Sequence, residues 1–261
     1  MTNREEVLQS FRRLLEIMDE LREKCPWDRE QTLASLRTLT IEETYELADA
    51  ILDEDLDGIR EELGDILLHI VFYAKIGDEK GGFTIREVID GINKKLVFRH
   101  PHIFGNITVQ DAREVEQNWE KIKLTEHQGK TVLGGIPASL PAMIKAYRIQ
   151  DKARGVGFDW SHRDQVWDKV EEEIGELRSE VGTMDSQERI ESEFGDVLFS
   201  LINAARLFGI NPENALEKTN LKFIRRFNYL EQETIKKGIS LKELPIEEMD
   251  RYWNEAKKSE S

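Results

Sequence analysis

The sequence predicts an all-α protein built as a tandem repeat of two helical domains. Apolar residues recur with the 3.6-residue period of an amphipathic helix along most of the chain. Only six prolines interrupt the 261 residues, and no segment shows the strict alternation of a half-buried strand. Glycines and prolines cluster between two similar series of helices, as in a linker. We therefore expect a first domain over 1–126, a linker over 127–140 and a second domain over 141–261.

Apolar periodicity predicts five helices in the first half, over about 7–24, 40–53, 56–74, 84–100 and 111–124. The first of them ends where Cys25 precedes Pro26. Thr40 and Glu43 have the spacing of a capping box, and so do Thr84 and Glu87, so each threonine is expected to begin a helix. Five further helices are expected in the second half, over about 142–154, 163–181, 187–207, 212–235 and 246–258.

A polar signature occurs once in each half, in the same order. Two acid pairs recur about 130 positions apart: Glu43 and Glu46 as Glu173 and Glu176, and Glu62 and Asp65 as Glu193 and Asp196. A basic pair and a tryptophan-lysine pair also recur: Lys95 and Arg99 as Lys222 and Arg226, and Trp119 and Lys123 as Trp253 and Lys257. A single acid pair means little among 52 acids. The complete repeated set indicates a duplicated functional site.

The spacing of the acids favours a divalent metal. Residues three apart lie on one face of a helix, so two neighbouring helices with facing pairs bring four carboxylates together. That much like charge in a cleft needs a cation, and an all-oxygen ligand set favours Mg²⁺ or Mn²⁺ over zinc. Activated water beside a spare carboxylate is a nucleophile with its general base, although the sequence does not distinguish which carboxylate is the base.

A carboxylate-bridged di-iron site is the competing metal interpretation, since such bundles use Glu-x-x-His motifs. His69 lies one turn after Asp65, but its counterpart in the second half is Ser200, and neither signature has a histidine three residues after an acid. We therefore expect His69 to be a packing or hydrogen-bonding residue.

Composition argues against a nucleic-acid-binding protein and against a membrane-spanning protein. The formal net charge of -15 argues against a broad nucleic-acid surface. The longest uncharged apolar stretch, 66–74, is far below the roughly 18 residues of a membrane-spanning helix. The single cysteine, Cys25, and a start without an apolar signal core fit a cytoplasmic protein.

Several motifs resemble the MazG nucleoside triphosphate pyrophosphohydrolases. They are Glu-Glu-Thr-Tyr-Glu at 42–46, Glu-Leu-Gly-Asp at 62–65, Cys-Pro-Trp-Asp at 25–28 and Arg-His-Pro-His-Ile-Phe at 99–104. The resemblance covers essentially the whole chain in a two-domain form. It implies four-helix bundles completed by a second protomer, and hence a homodimer. It also implies Mg²⁺-dependent hydrolysis of NTPs or dNTPs to the monophosphate and pyrophosphate.

The resemblance also implies roles for the repeated residues. The acids would hold the metal: Glu43, Glu46, Glu62 and Asp65 in the first copy, and Glu173, Glu176, Glu193 and Asp196 in the second. The basic residues Lys95, Arg99, Lys222 and Arg226 would meet phosphates. The tryptophans Trp119 and Trp253 would stack on a base, with Lys123 and Lys257 beside them.

Two questions stay open at this point. A helical interaction or regulatory protein with vestigial acid motifs is the alternative function, and turnover of nucleotides would separate the two. The copies also differ, because Asp49 is replaced by Ser179, and because Pro101 follows closely on Arg99 whereas no proline follows Arg226 until Pro245. A continuous helix preorganises its cations better, so we expect the second copy to carry more of the turnover.

Overall fold

The computed structural model describes residues 3–259 apart from 112–113, 116–117, 120–121, 123–130, 161 and 184–185. The chain divides into two compact units, Met1–Val109 and Gln110–Ser261. The described secondary structure consists of helices, with no strand, which confirms the all-α prediction. The expected linker, 127–140, falls within the second unit, and 127–130 lie outside the described residues.

The first unit contains α1 (Arg4–Lys24), α2 (Pro26–Glu30), α3 (Ser35–Leu52), α4 (Leu56–Glu79), α5 (Ile85–Arg99) and α6 (Pro101–Phe104). The capping box predicted at the start of α5 is confirmed. Thr84 Oγ1 accepts from the Glu87 amide at 3.2 Å, and Glu87 Oε2 accepts from the Thr84 amide at 2.8 Å. The end of α1 before Pro26 is confirmed as well.

The predicted start of α3 at Thr40 is wrong, because the helix begins five residues earlier, at Ser35. The Ser35 hydroxyl accepts a hydrogen bond from the Thr32 amide at 2.8 Å, and the Thr32 hydroxyl accepts one from the Ser35 amide at 3.1 Å, so the two bonds fix the entry to the helix. Thr40 lies inside α3, where its hydroxyl donates to the Leu36 carbonyl at 2.9 Å. A threonine bonded in this way satisfies its own hydroxyl within the helix and caps nothing.

Helices α3 and α4 form the central pair of the first unit, and α1 packs against α4. Their buried apolar residues form one core: Met18, Leu36, Val71, Phe72 and Ile76. The pair approaches closely at Gly58, where an added Cβ would lie 3.2 Å from the Ala50 Cβ. Burial of this apolar face fixes which side chains of α3 and α4 turn away from the core, and the acids are among those.

The second unit contains α7 (Ala142–Gly155), α8 (Gln165–Thr183), α9 (Gln187–Leu207), α10 (Pro212–Lys236) and α11 (Ile246–Ser259), with a 3₁₀ turn at Leu241–Glu243. The predicted bounds of these helices are confirmed within two residues. The α8–α9 pair takes the place of α3–α4, around a core of Val166, Val170 and Ala204. Most of the helix expected over 111–124 lies outside the described residues. None of the described helices has the length and apolar character needed to span a membrane.

Candidate metal centres

Each central helix pair brings together three of its four predicted acids. In the first unit Glu43 of α3 meets Glu62 and Asp65 of α4, with one carboxylate oxygen of each within 4.8 Å of the others. All three are half-buried. The arrangement follows from the spacing of Glu62 and Asp65, since residues three apart on α4 point toward the same side of α3.

The second unit repeats this arrangement on α8 and α9. Oxygens of Glu173, Glu193 and Asp196 also lie within 4.8 Å of one another. Glu173 is buried, at 8 % exposed, Glu193 is half-buried and Asp196 is exposed. Three carboxylates therefore converge twice in one chain, at positions related by an offset of 130 or 131 residues.

Burial and repulsion between carboxylates raise the pKa of a glutamate in each cluster. Burial raises the pKa of Glu62, and the neighbouring carboxylates Glu46 and Glu43 raise it further. Burial also raises the pKa of Glu193, with Glu176 and Asp196 adding to the effect. One oxygen, Oε2, of each of these two glutamates is buried without a hydrogen-bond partner among the described residues. Buried oxygens without a donor are suited to a bound cation.

Glu46 and Glu176 stand outside the two clusters. Both are exposed, and neither belongs to the set of converging oxygens. They lie close enough to raise the pKa of Glu62 and Glu193 respectively. The structure thus places the fourth predicted acid of each copy at the margin of its cluster.

Sequence comparison of the copies missed an acid in the second unit. Glu180 also raises the pKa of Glu193, and its Oε2 is buried without a partner among the described residues. From the sequence, the replacement of Asp49 by Ser179 suggests that the second copy has one acid fewer on this helix than the first. Glu180 lies seven residues after Glu173, two helical turns along the same face, so the i, i+7 spacing was the available signal.

A second missed residue is Lys169 of α8, one turn before Glu173. Its Nζ lies 2.8 Å from Glu173 Oε1 and 2.8 Å from Glu172 Oε1. Hydrogen bonds to Glu172 and Glu173 raise the pKa of Lys169, so its ammonium stays charged. Leu39, which packs against the first core, stands at the matching position of the first copy.

The predicted phosphate-binding residues lie on other helices. Lys95 is exposed on α5 and Arg99 ends that helix, whereas Lys222 and Arg226 are half-buried within α10. Neither pair belongs to a carboxylate cluster. Their helices differ as the sequence predicted, because α10 continues ten residues beyond Arg226, to Lys236.

The two tryptophans have different surroundings. Trp253 of α11 lies against Phe223, with ring centroids 5.0 Å apart, and the Arg226 guanidinium lies 5.7 Å from its ring centroid. Lys257 is exposed one turn further on. Trp119 is half-buried, and its predicted neighbour Lys123 lies outside the described residues. His69 is buried beside Tyr73, as expected of a packing residue.

Fold and site together define a class: an all-α protein that carries a carboxylate cluster on each of two repeated helix pairs. Comparison with known proteins shows which family within this class the chain resembles. The sequence profile described as the MazG nucleotide pyrophosphohydrolase domain matches the chain twice, over residues 31–104 and 163–230.

Three relatives match this chain over at least 90 % of its length. A Thermotoga maritima protein named nucleoside triphosphate pyrophosphohydrolase/pyrophosphatase MazG is 45 % identical over 251 residues, covering 95 % of both chains. An Escherichia coli K12 protein named nucleoside triphosphate pyrophosphohydrolase is 42 % identical over 255 residues, covering 95 % of this chain and 97 % of that one. The Bacillus subtilis protein YabN is 46 % identical over 238 residues, 90 % of this chain but 49 % of its own length. The chain belongs to the MazG nucleotide pyrophosphohydrolase family.

Proposed function

We propose that this chain hydrolyses nucleoside triphosphates to the monophosphate and pyrophosphate, with a divalent cation held by its carboxylate clusters. The observation that carries the proposal is the duplicated convergence of three carboxylates within 4.8 Å on the central helix pairs. The names of the Thermotoga maritima and Escherichia coli relatives support the same reaction.

The donor set fits a hard divalent ion. Both clusters offer carboxylate oxygens, which suit Mg²⁺ and Mn²⁺. The ligands would be Glu43, Glu62 and Asp65 in the first unit and Glu173, Glu193 and Asp196 in the second, with Glu46 and Glu176 at the margins as further ligands. When bound, such an ion lowers the pKa of a coordinated water and neutralises phosphate charge.

Other groups of the chain would activate the attacking water and bind the phosphates. One of the metal-site carboxylates, through an oxygen that does not ligate the ion, would take a proton from water, whose oxygen would then form a bond to phosphorus. The P–O bond of the α–β bridge breaks, and pyrophosphate leaves. Lys222 and Arg226, with Lys95 and Arg99 in the first unit, would bind the phosphates, because a row of cations complements the departing charge. The base-stacking role of Trp119 and Trp253 stays a prediction.

A homodimer is part of the proposal. The helices that carry the acids leave a matching apolar stripe exposed in each unit: Leu63, Leu67 and Ile70 on α4, and Phe194, Leu198 and Leu201 on α9. The intervening glycines Gly64 and Gly195 have open space where a side chain would stand, although glycine weakens a helix by about 1 kcal/mol relative to alanine. Repeated apolar stripes beside small residues suit the close approach of helices from a second copy.

Turnover with and without metal tests the proposal. The purified full chain is incubated with each NTP and dNTP and Mg²⁺, and the release of monophosphate and pyrophosphate is measured. We expect activity to vanish in excess EDTA and to return when Mg²⁺ or Mn²⁺ is restored. Hydrolysis that persists in excess chelator would reject the metal-site assignment. Failure to hydrolyse any nucleotide would instead favour a helical interaction protein with vestigial acid motifs.

A further inference from the structure

A cavity of about 630 Å³ in the second unit is lined by several parts of the chain. One side contains Glu173 and Asp196 of the carboxylate cluster. Another side comes from α7, which Gln150 ties to α9, because its Nε2 donates to the Phe199 carbonyl at 2.8 Å. A third side is the segment 157–160, which follows α7 and precedes α8. The position of this segment therefore helps to set the shape of the cavity in front of the acids.

The segment 157–160 leaves α7 through a glycine. Gly157 has φ +88°, a conformation that residues with a side chain rarely adopt, and its amide donates to the Arg154 carbonyl at 2.9 Å. The next residue, Phe158, is 82 % exposed, so its ring buries little apolar surface within this chain. Burial of Phe158 therefore contributes little to fixing the segment, and the contacts of Asp159 gain importance.

Asp159 joins the segment to α9 through an ion pair with Arg206. Arg206 Nη1 donates to Asp159 Oδ2 at 3.2 Å, and Nη2 donates to Oδ1 at 2.5 Å. Two parallel bonds of this kind fix the orientation of the two groups as well as their distance. Arg206 Nη2 also donates to Asn203 Oδ1 at 2.8 Å, and Asp159 Oδ1 accepts from the Trp160 amide at 3.0 Å. The guanidinium is thus oriented on α9, and the carboxylate is oriented on the backbone of the segment.

Much of this ion pair lies out of water. The side chain of Arg206 is 6 % exposed and that of Asp159 is 22 % exposed. Burial acts to raise the pKa of Asp159, but hydrogen bonds from Arg206 and from the Trp160 amide outweigh it and hold the pKa below its ordinary value. The cost of desolvating two charges offsets much of their attraction, so a buried ion pair is a poor source of net stability. A role in placing the segment explains this pair better than a role in stability.

The first unit uses the two corresponding positions differently. At the offset of 131 residues, they are occupied by Asp28 and Lys75. Lys75 Nζ pairs with Asp19 of α1 at 2.6 Å. The segment at Asp28 is held through its backbone, since Arg22 Nη1 donates to the Asp28 carbonyl. The cation at this position thus bonds α1 in the first unit, whereas in the second unit Arg206 bonds the segment beside the cavity.

From these contacts we propose that Arg206 is a positioning residue for turnover in the second unit. Through Asp159 it holds the segment 157–160 against α9. The same helix carries Glu193 and Asp196, so this side of the cavity keeps a fixed place relative to the acids. Arg206 acts through Asp159 and not on the substrate. The inference rests on the proposed triphosphate hydrolysis, and because a preformed wall need not be ordered when substrate binds, its loss affects KM more than kcat.

A single and a double variant separate positioning from stability. Asp159→Asn keeps an acceptor for the Trp160 amide but leaves the buried guanidinium without its carboxylate, so the melting temperature should fall. Adding Arg206→Met removes that buried charge, so in Asp159→Asn/Arg206→Met the melting temperature should return toward that of the wild type. In this double variant KM for the nucleotide that the wild type prefers should remain raised roughly tenfold, with kcat within about twofold of wild type.

Two controls locate the effect at the segment. The affinity for Mn²⁺, measured by titration calorimetry without nucleotide, should be the same in the wild type and in Asp159→Asn/Arg206→Met, because Glu193 and Asp196 keep their places on α9. Asp19→Asn/Lys75→Met removes the ion pair at the matching position of the first unit and should leave KM and kcat unchanged.

Fluorine NMR of the full chain labelled with 5-fluorotryptophan follows the segment without turnover. The signal of Trp160, identified by its absence from Trp160→Phe, should shift or broaden in Asp159→Asn/Arg206→Met and stay unchanged in Asp19→Asn/Lys75→Met. A wild type that hydrolyses no NTP would overturn the proposed reaction, and this signal would still show whether Arg206 holds the segment. Recovery of KM together with the melting temperature would overturn the positioning role. An unchanged Trp160 signal or weakened Mn²⁺ binding in the Arg206 double variant would overturn it as well.

Discussion

Lys169 Nζ lies 2.8 Å from Glu173 Oε1, so an ammonium group already pairs with one carboxylate of the second cluster. Leu39 holds the matching position in the first cluster. A cation that binds at Glu173 has to compete with this lysine, whereas no such competitor stands at Leu39. The two clusters share the pattern of three converging acids and differ in the charged residues beside them.

We predict that Lys169→Met tightens the binding of Mn²⁺ to the second cluster, measured without nucleotide, by several-fold. The substitution removes both the competing ion pair and the repulsion between two cations. Titration calorimetry or electron paramagnetic resonance of Mn²⁺ measures the change. The reciprocal variant Leu39→Lys should weaken binding at the first cluster. Unchanged affinity in both variants would show that Lys169 does not compete with the ion.

Mg²⁺ should raise the melting temperature, and it should do so more at pH 8 than at pH 5. The pKa of Glu43, Glu62 and Glu193 is raised by burial and by neighbouring acids, so the folded protein binds more protons than the unfolded chain. Without metal, the free energy of unfolding therefore falls as the pH rises through the carboxyl range. Bound Mg²⁺ removes this repulsion and adds its own binding energy. Scanning calorimetry with Mg²⁺ or with EDTA at both pH values measures the rise in melting temperature. An equal rise at pH 5 and at pH 8 would contradict the account.

Sedimentation equilibrium should give a dimer of twice 30.4 kDa. Glu introduced in the apolar stripes, as Leu67→Glu or Leu198→Glu, should weaken the dimer at least about tenfold, since a buried leucine contributes about 2 kcal/mol. Leu56→Glu provides the control, because Leu56 is 79 % exposed and lies outside the stripe. A wild-type monomer that still hydrolyses NTPs would refute the assembly.

Glu193→Ala should remove most of the activity, and Glu62→Ala should remove less. Helix α10 continues well beyond Arg226, whereas α5 ends at Arg99, so the cations of the second unit are better preorganised. Initial rates of the two single variants at saturating Mg²⁺ measure the difference. Equal residual rates, or a larger loss from Glu62→Ala with the dimer intact, would show that helix continuity is the wrong criterion.

Local sequence signals predicted much of the fold, and long-range packing explains what they missed. Apolar periodicity and capping residues located α4, α5 and α9, because both signals depend only on residues that are close together along the chain. The false start at Thr40 arose because its spacing to Glu43 resembles a cap, while Thr32 and Ser35 bond each other instead. The acid pairs indicated the clusters.

Other features of the site depend on which helices meet. The effect of Glu180 on Glu193 depends on how closely α8 and α9 pack. The cavity at Gln150 depends on the packing of α7 against α9. The i, i+7 spacing places Glu180 on the face of α8 that carries Glu173, but which helices meet that face cannot be read along one helix.

Product analysis in ¹⁸O-labelled water tests the central claim most directly, that the paired carboxylate clusters hydrolyse a nucleoside triphosphate between its α and β phosphorus atoms. Wild-type protein with Mg²⁺ should release monophosphate and pyrophosphate in equal amounts, with one labelled oxygen in one of the two products. The double variant Glu62→Ala/Glu193→Ala should release neither. Release of a nucleoside diphosphate and phosphate, or undiminished turnover by the double variant with its dimer intact, would contradict the account.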